Sequence, residues 1–528
     1  MCLHALLRRP LIVAVVALTA CAAAAVRADE FTDRANELYR PISASKRSDV
    51  ILLPLIAKMQ PPPAVVGTLE KAAMLPAASP SFKAAADWAA GEPQQAVITA
   101  LEKITKEENP VEAFAFGQPY GADAVAGGGP DGIAMIEAKL YTDLGDPPML
   151  AGARFLYLPA LDRVACLVNV EATRQAAAGD FDKALGVLIN WLYFSRSMAD
   201  RAFFQEARWA WKMMIASADR VRDVVYTDFR VGGHKITNEQ LMAVLQRTRS
   251  DGYLNTDHIF FPRANVIAGD QVVAKCFIPR GGTNEAVFGS TMARLAATER
   301  PLRLFAEAAR WNEVASAHAN WFDTTKQLAG IDADLRRRWS LDAFDPLLRS
   351  LTDYERMDKG KYAVLAAIYP DMTVLFNDRQ NLRAQLVGTR MALGIMAFQN
   401  RSKNWPPDIA SIRPTWVKVI EADPFNPDRA GGKLPPLEFF VPIRDQKFGP
   451  REDPKPHEIN VVVGGHQNFK SKVGQDQFVL YSIGPDASKD WAKNVYSEPP
   501  KNAIGDLLIW PPVASLLRQR MIEQGEIK

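Results

Sequence analysis

The sequence contains residue types that carry out catalysis, but not at the spacings that mark known catalytic motifs. His457-Glu458 lacks the second histidine of a zinc protease motif. Ser290 follows Gly289 without the remaining flanks of a nucleophile elbow. The sequence contains neither a Walker A loop nor a G-x-G-x-x-G loop, the two common glycine-rich loops that bind phosphate groups. An exported hydrolase therefore stays an alternative that needs a site assembled from residues distant in sequence.

Four aspartates lie close together, and glycoside hydrolysis uses two carboxylates at a defined separation. They are Asp332, Asp334, Asp342 and Asp345, with Arg336-Arg337-Arg338 among them. Opposite charges three or four residues apart on a helix pair with one another. The segment is therefore predicted to be a solvated, ion-paired surface.

Six tryptophans fall in predicted helices, and exported sugar-binding proteins line their clefts with such rings. Large helical cores use the same side chain, because burying it removes a large apolar area from water. We expect core positions, with a soluble ligand-binding protein as the alternative. The six are Trp191, Trp209, Trp211, Trp311, Trp321 and Trp339.

The elements that position these residues follow an N-terminal signal peptide, residues 1–28. Arg8 and Arg9 precede an apolar run, and Val26-Arg27-Ala28 supplies a small-residue cleavage pattern. The apolar run is shorter than the ~20 residues that a membrane span needs. The sequence therefore predicts export to the periplasm or another part of the cell envelope.

A second processing site overlaps the signal. Leu18-Thr19-Ala20-Cys21 resembles the bacterial lipobox, in which Cys21 becomes the lipidated first residue. The apolar run continues past Cys21, which favours ordinary cleavage after Ala28. An outer-membrane lipoprotein with a lipid anchor is the alternative.

The composition is that of a globular protein: 528 residues, 48% hydrophobic and 23% charged. Lys and Arg number 63, and Asp and Glu number 60. Cleavage after Ala28 removes Arg8, Arg9 and Arg27 and no acidic residue, so the charges then balance. Balanced charge gives no overall steering toward nucleic acid. No later stretch is long and apolar enough to span a bilayer, so the expected partners are other envelope proteins.

Two cysteines, Cys166 and Cys276, remain after processing. An oxidising compartment allows a disulfide between them. Cys166 also lies in an apolar run typical of a buried helix face, where a free thiol is common. A disulfide and two buried free thiols both remain open.

The chain after the signal is predicted to be mainly helical. Residues 29–132 show short helices broken by proline, and residues 133–371 form an α-helical domain. Within it, helices on either side of Gly179-Asp180 resemble a tetratricopeptide hairpin, since glycine can end the first helix and aspartate can cap the second. No second unit follows at the repeat's period of about 34 residues.

Residues 372–528 change character, with one long helix followed by strand candidates. The helix ends at Asn404-Trp405-Pro406-Pro407, and Asp423-Pro424-Phe425 begins a loop-rich region. The strand candidates are 437–441, 459–463 and 478–483, and the last leads into Tyr481-Ser482-Ile483-Gly484-Pro485-Asp486. This pattern resembles the globular part of type II secretion major pseudopilins. It is similar to exported bacterial proteins of unknown function that carry the module behind a helical region.

The resemblance implies a long helix packed on a small antiparallel sheet, and calcium in the loop after the last strand. The positions that match its ligands are Asp486, Asp490 and Asp506, although the family's paired acids are missing and Asp486 can instead form an Asx turn. The matching helix is internal and carries charges such as Arg379 and Arg383. It therefore cannot anchor in a bilayer as a pseudopilin helix does.

We therefore expect an α+β protein, predominantly α, in which a large helical region precedes a pseudopilin-like module. The expected function is that of an exported, non-catalytic envelope protein with a protein–protein interaction or assembly role. An exported hydrolase and a soluble ligand-binding protein are the alternatives.

Overall fold

The computed structural model of the chain is mostly helical (55%), with small sheets, so the predicted α+β class with a helical majority is confirmed. In the part of the chain described, no helix is both long and apolar enough to cross a membrane. The described residues are 29–106, 114–296, 301–449, 452–496 and 504–527.

The N-terminal region is a series of short helices. They are α1 Glu30–Asn36, α2 Ser48–Lys58, α3 Leu69–Met74, α4 Phe82–Ala89, α5 Glu92–Thr105, α6 Ala122–Ala126 and α7 Pro130–Glu137. Pro130 begins α7, where the missing N–H of proline needs no partner. Strands β1 (Thr142–Asp143) and β2 (Arg154–Phe155) follow as an antiparallel ribbon.

Three long helices, α8 (Leu158–Ala177), α9 (Phe181–Met198) and α10 (Phe204–Thr227), pack together in sequence order. Gly179 takes a left-handed conformation, with φ of 81°, after the end of α8. The Asp180 side chain accepts a backbone N–H at 3.1 Å at the start of α9. The glycine and aspartate thus end and begin these helices as the sequence predicts.

Shorter helices connect this bundle to a long helix, α18 (Val374–Ser402). The predicted helix over 372–399 therefore matches it closely. The connecting helices are α11 Asn238–Arg247, α12 Ala264–Cys276, α13 Phe288–Leu295, α14 Pro301–Ala315, α15 Trp321–Trp339, α16 Asp353–Arg356 and α17 Ala363–Ile368.

A six-stranded sheet follows α18, in the order β3-β6-β8-β7-β4-β5. The β4–β7 and β7–β8 pairs are parallel and the other pairs are antiparallel. The predicted strands correspond to β3, β4 and β6, and the structure adds β5, β7 and β8. The strands are β3 Glu438–Phe440, β4 His457–Val462, β5 Phe469–Val473, β6 Val479–Ser482, β7 Asn494–Tyr496 and β8 Asp506–Trp510.

Helix α18 lies between α10 and this sheet. At Gly388 a Cβ atom would lie 2.6 Å from Ile509 Cγ2, so glycine permits the close approach of helix and strand. On the other side, Arg222 of α10 donates to Thr389 Oγ1 at 2.6 Å. The last helix, α19 (Val513–Glu523), also packs on α10. One apolar core runs from α2 to β8, and the boundaries at 132 and 371 stay predictions.

Candidate functional site

Two adjoining cavities open where the segment between α11 and α12 passes the end of α15 and the first half of α18. Their volumes are about 700 and about 530 Å³, and they share Asp257, Ser340, Leu341 and Arg383 in their walls. We call the combined space the arginine cleft. Its charged lining residues are Arg263, Arg336, Arg379, Arg383, Arg390, Arg429, Asp257, Asp342 and Glu421.

One side of α18 supplies three of these arginines. Arg379, Arg383 and Arg390 are four and seven residues apart, which places them along one side of an α-helix. The helix is buried along most of its length by α10 and the sheet. Packing therefore fixes the backbone from which the three side chains extend.

Arg379 lies at the base of the cleft. Its guanidinium is 4.0 Å from the centroid of the Trp339 ring, and its Nη1 donates to the Trp339 carbonyl at 2.8 Å. Burial lowers the pKa of Arg379 to about 10, and the Asp342 carboxylate opposes this only partly. The arginine thus carries its charge in a place where the protein compensates it incompletely.

Arg383 continues the line of charge toward the second cavity. Its Nε donates to Thr256 Oγ1 at 2.9 Å, and it forms an ion pair with Asp257. Burial lowers the pKa of Arg383 to about 10, and the nearby Arg429 lowers it further. Like charges brought together in this way raise the electrostatic energy unless an anion lies between them.

Arg390 is compensated, in contrast. Its Nε and Nη2 donate to the two carboxylate oxygens of Glu421, each at 2.6 Å, and its Nη1 donates to the Thr248 carbonyl at 2.8 Å. A bidentate pair of this kind fixes both side chains. Arg390 therefore forms a rigid end wall of the cleft.

The lining as a whole carries more positive than negative charge. Six arginines and three carboxylates line the cleft, a formal excess of three positive charges. Asp332 lies outside the lining and pairs with Arg336 at 2.7 Å, which offsets one of them. The arrangement is suited to holding an anion with several charges, because guanidinium groups bind carboxylates and phosphates strongly.

The positions predicted as calcium ligands lie together in the loop region between β6 and the start of β8. Asp486 accepts N–H bonds from Ser488 at 3.1 Å and Gly505 at 2.9 Å, and Asp506 accepts one from Ala492 at 2.6 Å. The first of these is the Asx turn that was the alternative. Among the described residues, no three acidic, histidine or cysteine side chains are placed to hold a metal. The carboxylates accept backbone N–H groups of the loop, and calcium at these residues stays a prediction.

Asp490 serves the same loop. Its Oδ2 accepts hydrogen bonds from the Asn494 N–H at 3.0 Å and from the Asn494 side chain at 2.7 Å. Lys489 beside it pairs with Glu438 at 2.6 Å. Each partner lies within the loop or on the adjacent strand, so Asp490 also has a local structural role.

The two cysteines after the signal are buried free thiols in the structure, so the disulfide is not formed there. Cys166 lies on α8 and Cys276 ends α12. Burial raises the pKa of Cys166 to about 11 and that of Cys276 to about 12, which keeps both protonated. The signal peptide and Cys21 lie outside the described residues.

The acidic and basic segment of α15 forms ion pairs, as its spacing predicts. Asp332 pairs with Arg336 at 2.7 Å and Asp334 with Arg338 at 3.0 Å. Trp339, which ends this helix, stacks on the buried Trp211 with 5.5 Å between ring centroids. These tryptophans are packing residues, although Trp339 also borders the cleft.

Sequence reasoning missed the cleft. Arg379, Arg383 and Arg390 were noticed only as charges that keep α18 out of a bilayer. Their spacing, which places them on one side of the helix, is a sequence signal that could indicate an anion-binding surface. Arg263 and Arg429 lie on loops far away in sequence, and only the fold brings them to α18.

Comparison with known proteins adds no relative: no protein-family model, no curated protein and no solved structure matches this chain.

Proposed function

We propose that the protein is an exported, non-catalytic envelope protein whose arginine cleft binds an acidic segment of a partner protein. The observation that carries the proposal is the excess of arginine over carboxylate in a cleft where Arg379 and Arg383 are largely buried. Such charges gain most from a ligand that brings several carboxylates with it.

The rim of the cleft offers apolar side chains to a ligand. Val419 and Leu434 line it and are 60% and 72% exposed, and Phe260, also in the lining, is 60% exposed. Apolar groups of this kind pack on the apolar side chains of a peptide. An acidic segment with apolar side chains would satisfy both the arginines and the rim.

The carboxylates of the cleft support a binding role rather than hydrolysis. Asp257 is paired with Arg383, and Glu421 is held by two hydrogen bonds from Arg390. Asp342 accepts the backbone N–H of Phe344 at 3.0 Å. Each of these carboxylates is thus already engaged within the protein, in an ion pair or a hydrogen bond.

The finer architecture belongs to the same proposal. The α8–α9 hairpin is of tetratricopeptide type, and α18 with the six-stranded sheet is a pseudopilin-like module that has been built into a helical protein. Burial of α18 between α10 and the sheet supports docking at the cleft rather than assembly through that helix. Export would follow cleavage after Ala28, or lipidation at Cys21.

Site-specific photo-cross-linking in cells tests the proposal. A photoreactive amino acid at position 434 lies on the cleft rim, and one at position 133 is a matched control, because Ile133 is also exposed but does not line the cleft. We expect a discrete protein to cross-link only from position 434, through a segment rich in Asp or Glu.

Charge reversal shows whether that capture depends on the cleft. Arg429→Glu should abolish the cross-link, and Arg401→Glu, at an exposed arginine outside the cleft lining, should leave it unchanged. A cross-linked segment without acidic residues, a carbohydrate product, or equal capture by both variants would contradict the proposal.

A further inference from the structure

Another cavity, lined largely by aromatic and aliphatic side chains, lies next to the arginine cleft. Its volume is about 430 Å³, and it borders the cleft because Phe260, Phe261 and Arg263 line both spaces. We call it the Arg201 chamber. Its other principal lining residues are Leu38, Tyr39, Ile42, Phe116, Arg201 and Tyr253.

Arg201 is fully buried in the connection between α9 and α10. Its guanidinium lies 4.1 Å from the Tyr39 ring centroid and 4.6 Å from that of Tyr120, so aromatic rings cover it. Its Nε donates to Glu206 at 2.7 Å. Within the described residues, Nη1 and Nη2 have no hydrogen-bond acceptor. The end of the guanidinium that carries two nitrogens thus has unsatisfied donors, and these atoms are themselves buried.

Glu206 cannot turn to satisfy those nitrogens. Its carboxylate also accepts the hydroxyl groups of Tyr120, at 2.7 Å, and Tyr157, and the Phe203 N–H at 3.3 Å. Burial raises the pKa of both tyrosines, which keeps them protonated and able to donate. Of the three guanidinium nitrogens of Arg201, Glu206 therefore binds only Nε.

A third unpartnered donor lines the chamber. The hydroxyl of Tyr253 is buried and, as far as the structure describes the chain, has no hydrogen-bond partner. Buried polar groups are almost always hydrogen-bonded in folded proteins. The Tyr253 hydroxyl and the two Arg201 nitrogens thus add three unsatisfied donors to an otherwise mainly apolar space.

The net charge of the side chains around the chamber determines the charge of the ligand that it can bind. Arg201 is paired with Glu206, and Asp200 is paired with Arg196 at 2.5 Å. Arg263 lies over the Phe260 ring, 5.8 Å from its centroid, and supplies one positive charge that the chamber shares with the arginine cleft. A single negative charge would balance the group, whereas a dianion would be in excess.

We infer that the Arg201 chamber binds a small organic monocarboxylate with a planar, apolar body. The planar fork of an arginine matches the two oxygens of a carboxylate, and Tyr253 can donate to one of them. The apolar body would pack against Phe116 and Ile42. Its donors, Arg201 and Tyr253, line the chamber and not the arginine cleft, so the assignment does not depend on the partner proposed for the cleft, although Phe260, Phe261 and Arg263 line both spaces.

Calorimetric titration of the full chain with matched probes tests the assignment. Benzoate should bind at one site, and benzamide, of nearly the same shape but neutral, should bind at least about tenfold more weakly. Phenyl phosphate, a dianion near neutral pH, should also bind more weakly. Equal binding of benzoate and benzamide, or no binding of benzoate at about 10 mM, overturns it.

Two variants locate the binding. Arg201→Lys keeps the charge but loses the fork, and should weaken benzoate binding about tenfold or more. Tyr253→Phe removes one hydroxyl at constant shape and should weaken it about two- to tenfold, which keeps the test valid should the lysine variant fail to fold. Tyr362→Phe, outside the chamber lining, should bind as the wild type does. Wild-type affinity in either chamber variant overturns the assignment.

Discussion

Two groups of arginines on opposite sides of the molecule's central helices show how the same residue serves structure in one place and binding in another. At the junction of α10 and α19, Arg220 and Arg518 both pair with the fully buried Asp223, and Ser515 donates to it as well. Arg518 also donates to two backbone carbonyls, at 2.9 and 3.2 Å. Arg220 and Arg518 also line a cavity, of about 680 Å³, but Arg379 and Arg383 in the arginine cleft have fewer acceptors.

The difference lies in how completely the charge is satisfied. A buried ion pair with several hydrogen bonds keeps elements in register, and breaking it leaves an uncompensated charge. At the junction Arg220 Nε is the one nitrogen of the two arginines that is buried without a partner among the described residues. Arginines with spare donors beside a cavity contribute less to folding and more to binding. The contrast predicts that substitutions at the junction mainly lower stability, whereas matched substitutions in the cleft mainly change ligand binding.

Asp223→Asn should have the largest effect on stability. It leaves Arg220 and Arg518 without their shared carboxylate, and removing one partner of a buried pair costs about 3–5 kcal/mol. The free energy of unfolding from urea denaturation measures this. Asp476→Asn breaks the exposed pair with Arg230 and should cost less than about 1 kcal/mol. Equal losses in the two variants would refute the structural role of the junction.

Acid should reduce the gap between Asp223→Asn and the wild type. Burial opposes the charge of Asp223, but Arg518 and Arg220 hold its pKa well below its ordinary value. A lowered carboxyl pKa stabilises the fold above the unfolded value of about 3.9, and this contribution is lost as the pH falls further. The melting temperatures of the wild type and Asp223→Asn should therefore differ at neutral pH and converge as the pH falls below about 3.9. A constant gap would show that the charge of Asp223 is not involved.

The next prediction compares the same arginine-to-methionine change at the junction and in the cleft. Arg518→Met should destabilise the protein by about 3 kcal/mol, since it removes a partner of a buried charge. Arg379→Met should cost about 1 kcal/mol, because it removes one hydrogen bond to a carbonyl and the contact with the Trp339 ring but also an incompletely compensated buried charge. Urea denaturation compares the two. The reverse order would mean that the cleft is the structural element.

The elements that the sequence predicts well are those with local signals. Gly179 and Asp180 mark a helix boundary by their own backbone and side-chain preferences. The apolar run that becomes β6 is buried at every position. Strand β5 was missed because it is short and carries Lys470 and Lys472, which suit a sheet edge better than a core.

The cleft could not be predicted in this way. Arg263, Arg336 and Arg429 lie on separate segments, and their approach to α18 depends on tertiary packing that no local pattern encodes. Only the arginines of α18 had a usable spacing. The Arg201 chamber is similar, since Tyr39 and Arg201 are far apart in sequence and meet only in the folded protein.

An acidic peptide should stabilise the protein through the cleft. A ligand at a hundredfold excess over its dissociation constant adds about 2.7 kcal/mol to the folded state. An alternating leucine–glutamate peptide is the probe, and its leucine–lysine counterpart at equal ionic strength is the control. We expect a higher melting temperature with the first alone, and loss of that rise in the double variant Arg379→Met, Arg383→Met. A rise with both peptides would contradict a charge-based site.

Removal of an acid from the cleft should have the smallest effect on stability and should tighten ligand binding. Asp257 pairs with Arg383, but its side chain is 65% exposed, so Asp257→Asn should cost less than about 1 kcal/mol of stability. The same change frees Arg383 and enlarges the positive excess, which should tighten binding of the leucine–glutamate peptide about two- to fivefold. Calorimetric titration measures the affinity, and the leucine–lysine peptide should show no such gain. Weaker binding of the acidic peptide would mean that Asp257 orients Arg383 for its ligand, as Asp223 orients Arg518, and the distinction between the two groups would fail at this residue.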